Sequence, residues 1–330
     1  MSIVQANVVW CIVFAILPNV FEQTSGAYLR CYRGSFTNYT EVPLTNPDSL
    51  LTARNPCIDK KKWTVIVGNG YNNDVENGPA ITTLLTKYSS LGTVNAVLLN
   101  WSKESKGIGL LGILNYPTAV TNSLIVAKQL AKAVIRLVEL GLSKKIHFVG
   151  HSLGAHLLGQ AGRETIKKSL TIPRLTGLDP ARVGFDPYWA YPPVDTSSAG
   201  FVDIIHCDVG GYGLNKSIGH VDIWVNYGLY LQGIRRQPGC NKSYTLEEIG
   251  SGGNRCSHDR SWQYYSVSLT STELFVAGPA CNYCDWLAKN GIFVNVTYIG
   301  PKVNLQIKGN SFLTTSDTQP WGKGEDGLLP

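Results

Sequence analysis

Long hydrophobic runs are nearly absent from this sequence. One mostly apolar run, Val8–Phe21, is too short for a comfortable membrane span, and no other segment approaches the roughly 18 continuous apolar residues of a transmembrane helix. Internal repeats, long Pro/Gly/Ser linkers, Gly-rich phosphate loops and nucleic-acid-binding motifs are missing as well. These absences argue against integral membrane proteins, repeat proteins and nucleic-acid-binding proteins, and they predict one large globular domain.

Charged residues are also scarce, at 16% of the chain, and they leave a net charge of +6. The one basic cluster is Lys60–Lys62. A positive surface can attract anionic membranes, whereas scattered charges of this kind are typical of simple solubility. We therefore expect peripheral membrane contact only.

The N-terminal apolar run is typical of a signal peptide, although a basic segment before it is missing. The small residues Ser25-Gly26-Ala27 offer a cleavage site. We expect residues 1–27 to be a signal peptide, residues 28–330 to form the mature domain, and the protein to be secreted. Five Asn-x-Ser/Thr sequons, which fit a secreted glycoprotein, begin at Asn38, Asn100, Asn215, Asn241 and Asn295.

The segment Gly150-His151-Ser152-Leu153-Gly154 carries the clearest chemical signal. It follows the apolar run Ile146–Val149 and precedes a helix-like stretch, 153–162. A G-x-S-x-G sequence between a strand and a helix is typical of a nucleophile elbow, in which a strained turn exposes the serine Oγ. The alternative interpretation is an ordinary Gly-rich turn with a solvated serine.

A serine nucleophile of this kind needs an acid and then a histidine later in the chain. Asp179, at the end of a short apolar segment, is the best candidate for the acid; the alternative is a turn-forming Asp-Pro. The base must then be His206, His220 or His258. We favour His258 because it lies in a polar loop just after Cys256, whereas His206 resembles a buried strand residue and His220 a structural hydrogen-bonding residue.

Helix-like and strand-like segments alternate along the chain. Ala119–Leu140 is the clearest helix, with one apolar face, and strand-like runs flank it at Asn95–Leu99 and Ile146–Val149. This βαβ pattern predicts an α/β fold with a mainly parallel sheet. Further strand-like runs occur at Ile292–Ile299 and Val303–Ile307.

Several short motifs, taken together, indicate that the sequence is related to a known protein family. It resembles the animal pancreatic-lipase family, and most closely the short secreted insect members of the venom phospholipase A1 type. The matching segments, in the family's order, are Val149–His156 (VGHSLGAH), Gly177–Ala181 (GLDPA), Phe201–His206 (FVDIIH), Gly219–Asp222 (GHVD), Gln237–Cys240 (QPGC) and Cys256–Tyr265 (CSHDRSWQYY).

The resemblance implies an α/β-hydrolase fold with Ser152, Asp179 and His258 as a catalytic triad. It also implies that the backbone N–H groups of Leu153 and Tyr71 form the oxyanion hole. Only about 70 residues follow His258, so we expect a single domain without the C-terminal β-sandwich of the larger lipases. We accordingly expect no colipase-type partner.

Two residues depart from the family pattern. Asn69 stands before Gly70 where the family usually has His, and Asn100 stands before Trp101 where it usually has Asp. We expect no metal or organic cofactor, because serine acyl transfer needs none and the family's calcium-binding stretch is poorly matched around Asp195–Asp203.

The cysteines agree with export, since disulfides form in oxidising compartments. A single Cys-x-x-Cys without a second matching pair argues against a zinc site. Sequence alone does not determine connectivity. The expected pairs are Cys31–Cys57, Cys240–Cys256 and Cys281–Cys284, with Cys207 left unpaired.

Lid length in this family correlates with substrate preference. Cys240 and Cys256 enclose 15 residues, which is nearer the short lids of phospholipases than the long lids of triacylglycerol lipases. Leu246 and Ile249 are candidates for lipid contact; the alternative is a disulfide-closed surface loop.

The residues beside the lid give opposite indications. The stretch 208–220 is short, as in phospholipases A1, whereas the insertion-like segment 227–236 could add apolar cover. We expect a phospholipid or glycerolipid substrate at a lipid–water interface, with phospholipase A1 activity. The alternatives are a neutral triacylglycerol lipase and a non-catalytic lipid-binding or storage protein.

Overall fold

The structure is a computed structural model that describes residues 26–72, 75–76, 78–107, 115–185, 191–234, 236–240 and 255–330. Across these ranges, each helix is too short or too polar to cross a membrane.

Strands and helices alternate through the first two thirds of the described chain. The strands are β1 Tyr28–Arg33, β2 Ser35–Pro43, β3 Trp63–Gly68, β4 Val94–Asn100, β5 Ile146–His151, β6 Arg174–Leu178, β7 Phe201–His206, β8 Val221–Val225, β9 Val276–Pro279, β10 Thr297–Tyr298 and β11 Gly309–Leu313. The helices are α1 Ser49–Thr52, α2 Pro79–Leu91, α3 Ser102–Ser105, α4 Asn115–Glu139, α5 Leu153–Ile166, α6 Tyr227–Leu231, α7 Cys256–Ser268 and α8 Tyr283–Lys289.

The strands form one eleven-stranded sheet in the order β10-β9-β11-β8-β7-β6-β5-β3-β4-β1-β2. The central strands from β4 to β8, and β11 beside β8, pair in parallel, whereas β1, β2, β9 and β10 pair antiparallel at the edges. The predicted mainly parallel sheet is therefore confirmed, and the strands of the described residues make no separate β-sandwich.

Helices cover both faces of this sheet. Phe148 of β5 belongs to the core that includes α4 and α5, and the adjacent Val149 belongs to the opposite core, which includes α2 and α7. Such alternation is what a strand buried on both sides requires. The predicted apolar face of α4 is also confirmed, because its residues are all buried: Val126, Leu130, Val134 and Leu137.

Strand order places a crevice at the carboxyl end of β3. The chain runs from β3 to β4 on one side and then returns to β5 on the other side of β3. The strand order reverses at β3, so the connections on its two sides run in opposite directions and leave a crevice between them. Ligands of open α/β sheets bind in such crevices. The loop after β3 and the turn after β5 meet there.

The C-terminal strand predictions were partly wrong. Of the predicted strand Ile292–Ile299, only Thr297–Tyr298 is β-structure, and Val303–Ile307 forms turns instead. The backbone N–H of Val303 donates to Gly300 and that of Ile307 to Asn304. Val303 and Ile307 are both buried, so their apolar character reflects turns packed on the core and not an alternating strand.

Two of the three expected disulfides are present. Cys31 bonds Cys57, and Cys240 bonds Cys256. The Cys281–Cys284 prediction was wrong, because both side chains are free and exposed. Asn282 lies between them and caps α8 by accepting a hydrogen bond from the Asp285 backbone N–H, so Cys284 is fixed in the helix while Cys281 precedes it. Cys207 is unpaired and buried, as expected.

Candidate active site

Ser152 occupies a strained turn between β5 and α5. Its φ of 57° and ψ of −125° are unusual for a residue with a side chain. A Cβ on Gly150 would lie 2.5 Å from the Ala155 Cα, and a Cβ on Gly154 would lie 2.5 Å from the carbonyl oxygens of Gly68 and Asn69. The two glycines therefore let helix α5 approach both the strand before the turn and the loop after β3.

A methyl group at Gly154 should disturb this approach. We expect Gly154→Ala to lower the free energy of unfolding by about 1–3 kcal/mol, because the loop after β3 has to move away from helix α5. Chemical denaturation of the variant and the parent protein measures the difference. Equal stability would contradict the close contact between Gly154 and the Gly68 and Asn69 carbonyls.

Asp179 and His258 form a buried hydrogen-bonded pair. Asp179 follows β6 with a φ of 45°, and its Oδ2 lies 2.6 Å from the His258 Nδ1. The other carboxylate oxygen, Oδ1, accepts hydrogen bonds from the backbone N–H groups of Cys207 at 2.8 Å and Asp208 at 3.1 Å. These donors hold the carboxylate in position, so it can orient the imidazole and stabilise its charged form.

His258 lies in the first turn of α7, so the prediction of a polar loop was wrong. The ring is buried and packs between those of His151, with centroids 4.6 Å apart, and Tyr212, at 5.3 Å. Burial lowers the pKa of His258, but the hydrogen bond and charge of Asp179 outweigh this effect, so that the pKa is raised above its ordinary 6.5. The same desolvation holds the pKa of His151 well below 6.5.

The other two candidate bases have different partners. His206 ends β7, fully buried, with its Nε2 2.8 Å from the Asp222 Oδ1, and it stacks on Trp224. The His220 Nδ1 accepts a hydrogen bond from the Val202 backbone N–H at 3.0 Å. Both expectations, a buried strand residue and a structural hydrogen bond, are confirmed.

The loop after β3 passes directly beside Ser152. A Cβ on Gly70 would lie 3.0 Å from the Ser152 Cβ and 3.5 Å from its Oγ. The following peptide unit, which carries the Tyr71 N–H, therefore runs next to the candidate nucleophile. Leu153 is the first residue of α5, and N–H groups in a first turn have no acceptor within their own helix. The two segments that carry the predicted oxyanion donors therefore both lie beside Ser152.

Asn69 and Asn100, the two residues that depart from the family pattern, both donate side-chain hydrogen bonds. The Asn69 Nδ2 donates to the Gly70 carbonyl at 3.1 Å. The Asn100 Nδ2 donates at 2.8 Å to the Glu41 Oε1, which also accepts from the Arg30 Nε at 2.9 Å. An aspartate at position 100 would set a second carboxylate against Glu41, so an amide suits this neighbour better.

Asp208 is a buried carboxyl group that sequence reasoning missed. Desolvation, together with the charge of Asp179, raises its pKa to about 7. Its Oδ2 accepts a hydrogen bond from the Tyr212 N–H at 2.8 Å. The available signal was its position in the chain, since Asp208 lies two residues after β7 and Asp179 directly follows the neighbouring β6.

The carboxyl and imidazole atoms of Asp179, Asp208 and His258 lie within 4.8 Å of one another. Such a donor set could ligate a cation in principle. Here Asp179 and His258 are instead hydrogen-bonded to each other, so the cluster is explained by acid–base pairing. Asp195, in the stretch compared with the family's calcium site, caps a 3₁₀ turn by accepting from the Ser197 N–H.

The predicted lid residues Leu246 and Ile249 lie outside the described residues. The disulfide at the two ends of the lid is defined, and Cys256 is the first residue of α7, two positions before His258. The segment 227–236 contributes Tyr227, Tyr230 and Ile234 to the wall of a small surface cleft that Asp208 also lines. Part of the insertion-like segment therefore lies beside Asp208.

Comparison with known proteins identifies a family and several relatives. The family described as Lipase matches residues 36–321. Inactive pancreatic lipase-related protein 1 of Homo sapiens is 31% identical over 81% of this chain and 56% of its own length. Pancreatic triacylglycerol lipase of Oryctolagus cuniculus is 31% identical over 83% and 58%. Pancreatic lipase-related protein 2 of Homo sapiens is 31% identical over 82% and 57%.

The chain spans a little over half the length of these relatives. The match covers the elbow, the acid–base pair and the loop after β3, and it agrees with the α/β-hydrolase sheet described above. The chain belongs to the lipase family, with the animal pancreatic lipases and their related proteins among its relatives.

Proposed function

We propose that this protein is a secreted serine esterase that hydrolyses the sn-1 acyl ester of glycerophospholipids. The observation that carries the proposal is the buried Asp179–His258 hydrogen bond at 2.6 Å, combined with the strained turn at Ser152. Ser152 is the nucleophile, His258 the general base and Asp179 the group that orients the imidazole.

Hydrolysis proceeds in two steps. His258 takes the Ser152 proton as Oγ attacks the ester carbonyl, and the tetrahedral oxyanion accepts hydrogen bonds from the Leu153 and Tyr71 N–H groups. The protonated His258 then gives its proton to the leaving alcohol, which yields an acyl-enzyme. Water, deprotonated by His258, releases the fatty acid and restores Ser152.

The size of the cover supports a phospholipid substrate. The segment closed by the Cys240–Cys256 disulfide contains only 15 residues. A small cover leaves a polar entrance through which a phosphorylated head group can pass. The names of the relatives support two other candidates, a triacylglycerol lipase and an inactive related protein.

Product analysis separates the three candidates. Secreted protein and a Ser152→Ala control are incubated with phosphatidylcholine vesicles and with triolein emulsion, and fatty-acid release is followed. We expect release from phosphatidylcholine that the control abolishes, with 2-acyl lysophospholipid left behind. Release from triolein alone would favour a neutral lipase, and absence of release from both lipids would favour a non-catalytic protein.

The pH profile should depend on Asp208. The ionised Asp208 contributes to the raised pKa of His258, and His258 must be neutral to act as a base. We therefore expect Asp208→Asn to move the acid limb of kcat/KM to lower pH. Profiles measured on a short soluble ester would show this shift, and superimposable profiles would contradict it.

Stability offers a second test of Asp208. Its native pKa of about 7 lies above the ordinary 3.8, so the native state binds the proton more tightly than the unfolded state. This contribution is fully present below pH 3.8 and is lost as the pH rises through about 7. We expect Asp208→Asn to flatten the fall of the unfolding free energy between these two pH values, as measured by denaturation at several pH values.

A further inference from the structure

Asn69 is a buried residue whose contacts the proposed mechanism does not use. It is 2% exposed and directly precedes the peptide unit that runs beside Ser152. Its backbone carbonyl accepts a hydrogen bond from the Trp101 Nε1 at 3.0 Å. Its side-chain Nδ2 donates to the Gly70 carbonyl at 3.1 Å. Trp101 therefore fixes the Asn69 backbone, and the Asn69 side chain in turn fixes the peptide unit that follows Gly70.

The geometry of the peptide bond makes this contact informative. In a planar trans peptide the carbonyl and the following N–H point in opposite directions. The Gly70 carbonyl and the Tyr71 N–H belong to one such unit. A hydrogen bond that fixes the Gly70 oxygen therefore also fixes the direction of the Tyr71 N–H.

Packing alone does not explain an asparagine at this position. Within the described part of the chain, the Asn69 Oδ1 is buried without a hydrogen-bond partner. An unpaired buried oxygen costs free energy, which an apolar side chain of similar size would avoid. The contact that remains to explain the amide is its donated hydrogen bond to the Gly70 carbonyl.

We propose that Asn69 is a positioning residue that orients the Tyr71 N–H toward the oxyanion. The inference rests on the proposed function, because it assigns a role only if Ser152 attacks an ester. The amide donor sets the peptide plane, Trp101 holds the loop against the sheet, and Gly70 lets the plane approach Ser152.

The test uses Asn69→Leu, which has nearly the same size but no donor. On a short soluble p-nitrophenyl ester we expect kcat to fall by about 10- to 100-fold, part of the loss seen when an oxyanion donor is removed entirely. KM should stay within about twofold, because the donor acts on the transition state. Affinity for a trifluoromethyl ketone, whose hemiketal oxyanion needs the same donor, should fall in parallel with kcat.

Two further variants keep the test independent of folding. Asn69→His retains a ring N–H donor, so we expect it to keep kcat within about fivefold of the parent. Asn95 of β4 is the matched control, since it is also a buried asparagine, with its Nδ2 donating to the Asp59 carbonyl at 2.8 Å and the Thr64 Oγ1 at 3.0 Å. We expect Asn95→Leu to lower the melting temperature while kcat per folded molecule is unchanged.

Each outcome decides the inference. An active parent protein with a low kcat for Asn69→Leu, a retained melting temperature and rescue by histidine supports it. An active parent with unchanged kcat for Asn69→Leu overturns it and leaves the proposed function intact. If Asn69→Leu does not fold, Asn69→Ala takes its place: a parallel fall in kcat and ketone affinity supports the inference, and unchanged values overturn it. A parent that hydrolyses no ester overturns both the proposed function and this inference.

Discussion

Replacing Ser152 by alanine is expected to lower kcat by about a million-fold, because no other group can form the acyl-enzyme. Combining Ser152→Ala with His258→Ala in a double variant tests whether the two residues act together. Nucleophile and base act as one unit, so the double variant should be no slower than either single variant. The measurement is kcat on a soluble ester for the parent, both single variants and the double variant.

Losses that multiply would contradict this expectation, since they would indicate that the two residues act independently. Binding to lipid vesicles gives the control. The Ser152 side chain makes no part of a lipid-contacting surface in the proposed mechanism, so sedimentation of Ser152→Ala with vesicles should match that of the parent.

Asp179→Asn has the second largest expected effect, a fall in kcat of about ten-thousand-fold. The amide Oδ1 can still accept from the Cys207 and Asp208 N–H groups. Its Nδ2 would then face the His258 Nδ1 as a donor and would select the wrong imidazole tautomer. His258 could no longer accept the Ser152 proton on Nε2. The rate on a soluble ester, corrected for the folded fraction, measures the effect.

The chain supplies a matched control for this substitution. Asp222 is fully buried, lies 2.8 Å from the His206 Nε2, and accepts from the Ile218 and Gly219 N–H groups. Asp222→Asn therefore imposes a similar change on a second buried His–Asp pair away from Ser152. We expect it to lower stability with little change in kcat. A comparable loss of kcat in both variants would assign the effect of Asp179→Asn to folding.

Much of the candidate site could be predicted because its residues carry local signals. Ser152 lies between two glycines after an apolar strand, and Asp179 ends the next apolar segment. The ends of the predicted strands are therefore enough to place both residues at one edge of the sheet. The tightly packed Gly154 is likewise encoded in the motif. These features depend on neighbours in sequence, which periodicity and turn residues reveal.

Other features depend on which elements become neighbours in space. Asp208 gains its raised pKa from Asp179, 29 residues earlier, through the pairing of β6 with β7. His258 was assigned to a loop because the polar segment around it hides a helix whose buried side is mostly polar and aromatic. Tyr88 and Tyr265, whose hydroxyls are 2.7 Å apart, join α2 to α7 across 177 residues. Sequence patterns contain no signal for such contacts.

The order of the site residues along the chain determines when the proposed triad can be completed during synthesis. Asp179 and His258 are 79 residues apart in sequence, and the carboxylate is held by N–H groups that follow β7. On the proposed roles, a ribosome-bound chain that has not yet extended to α7 has a nucleophile without a base. On these roles, esterase activity arises only once α7 has been synthesised and His258 has packed against Asp179.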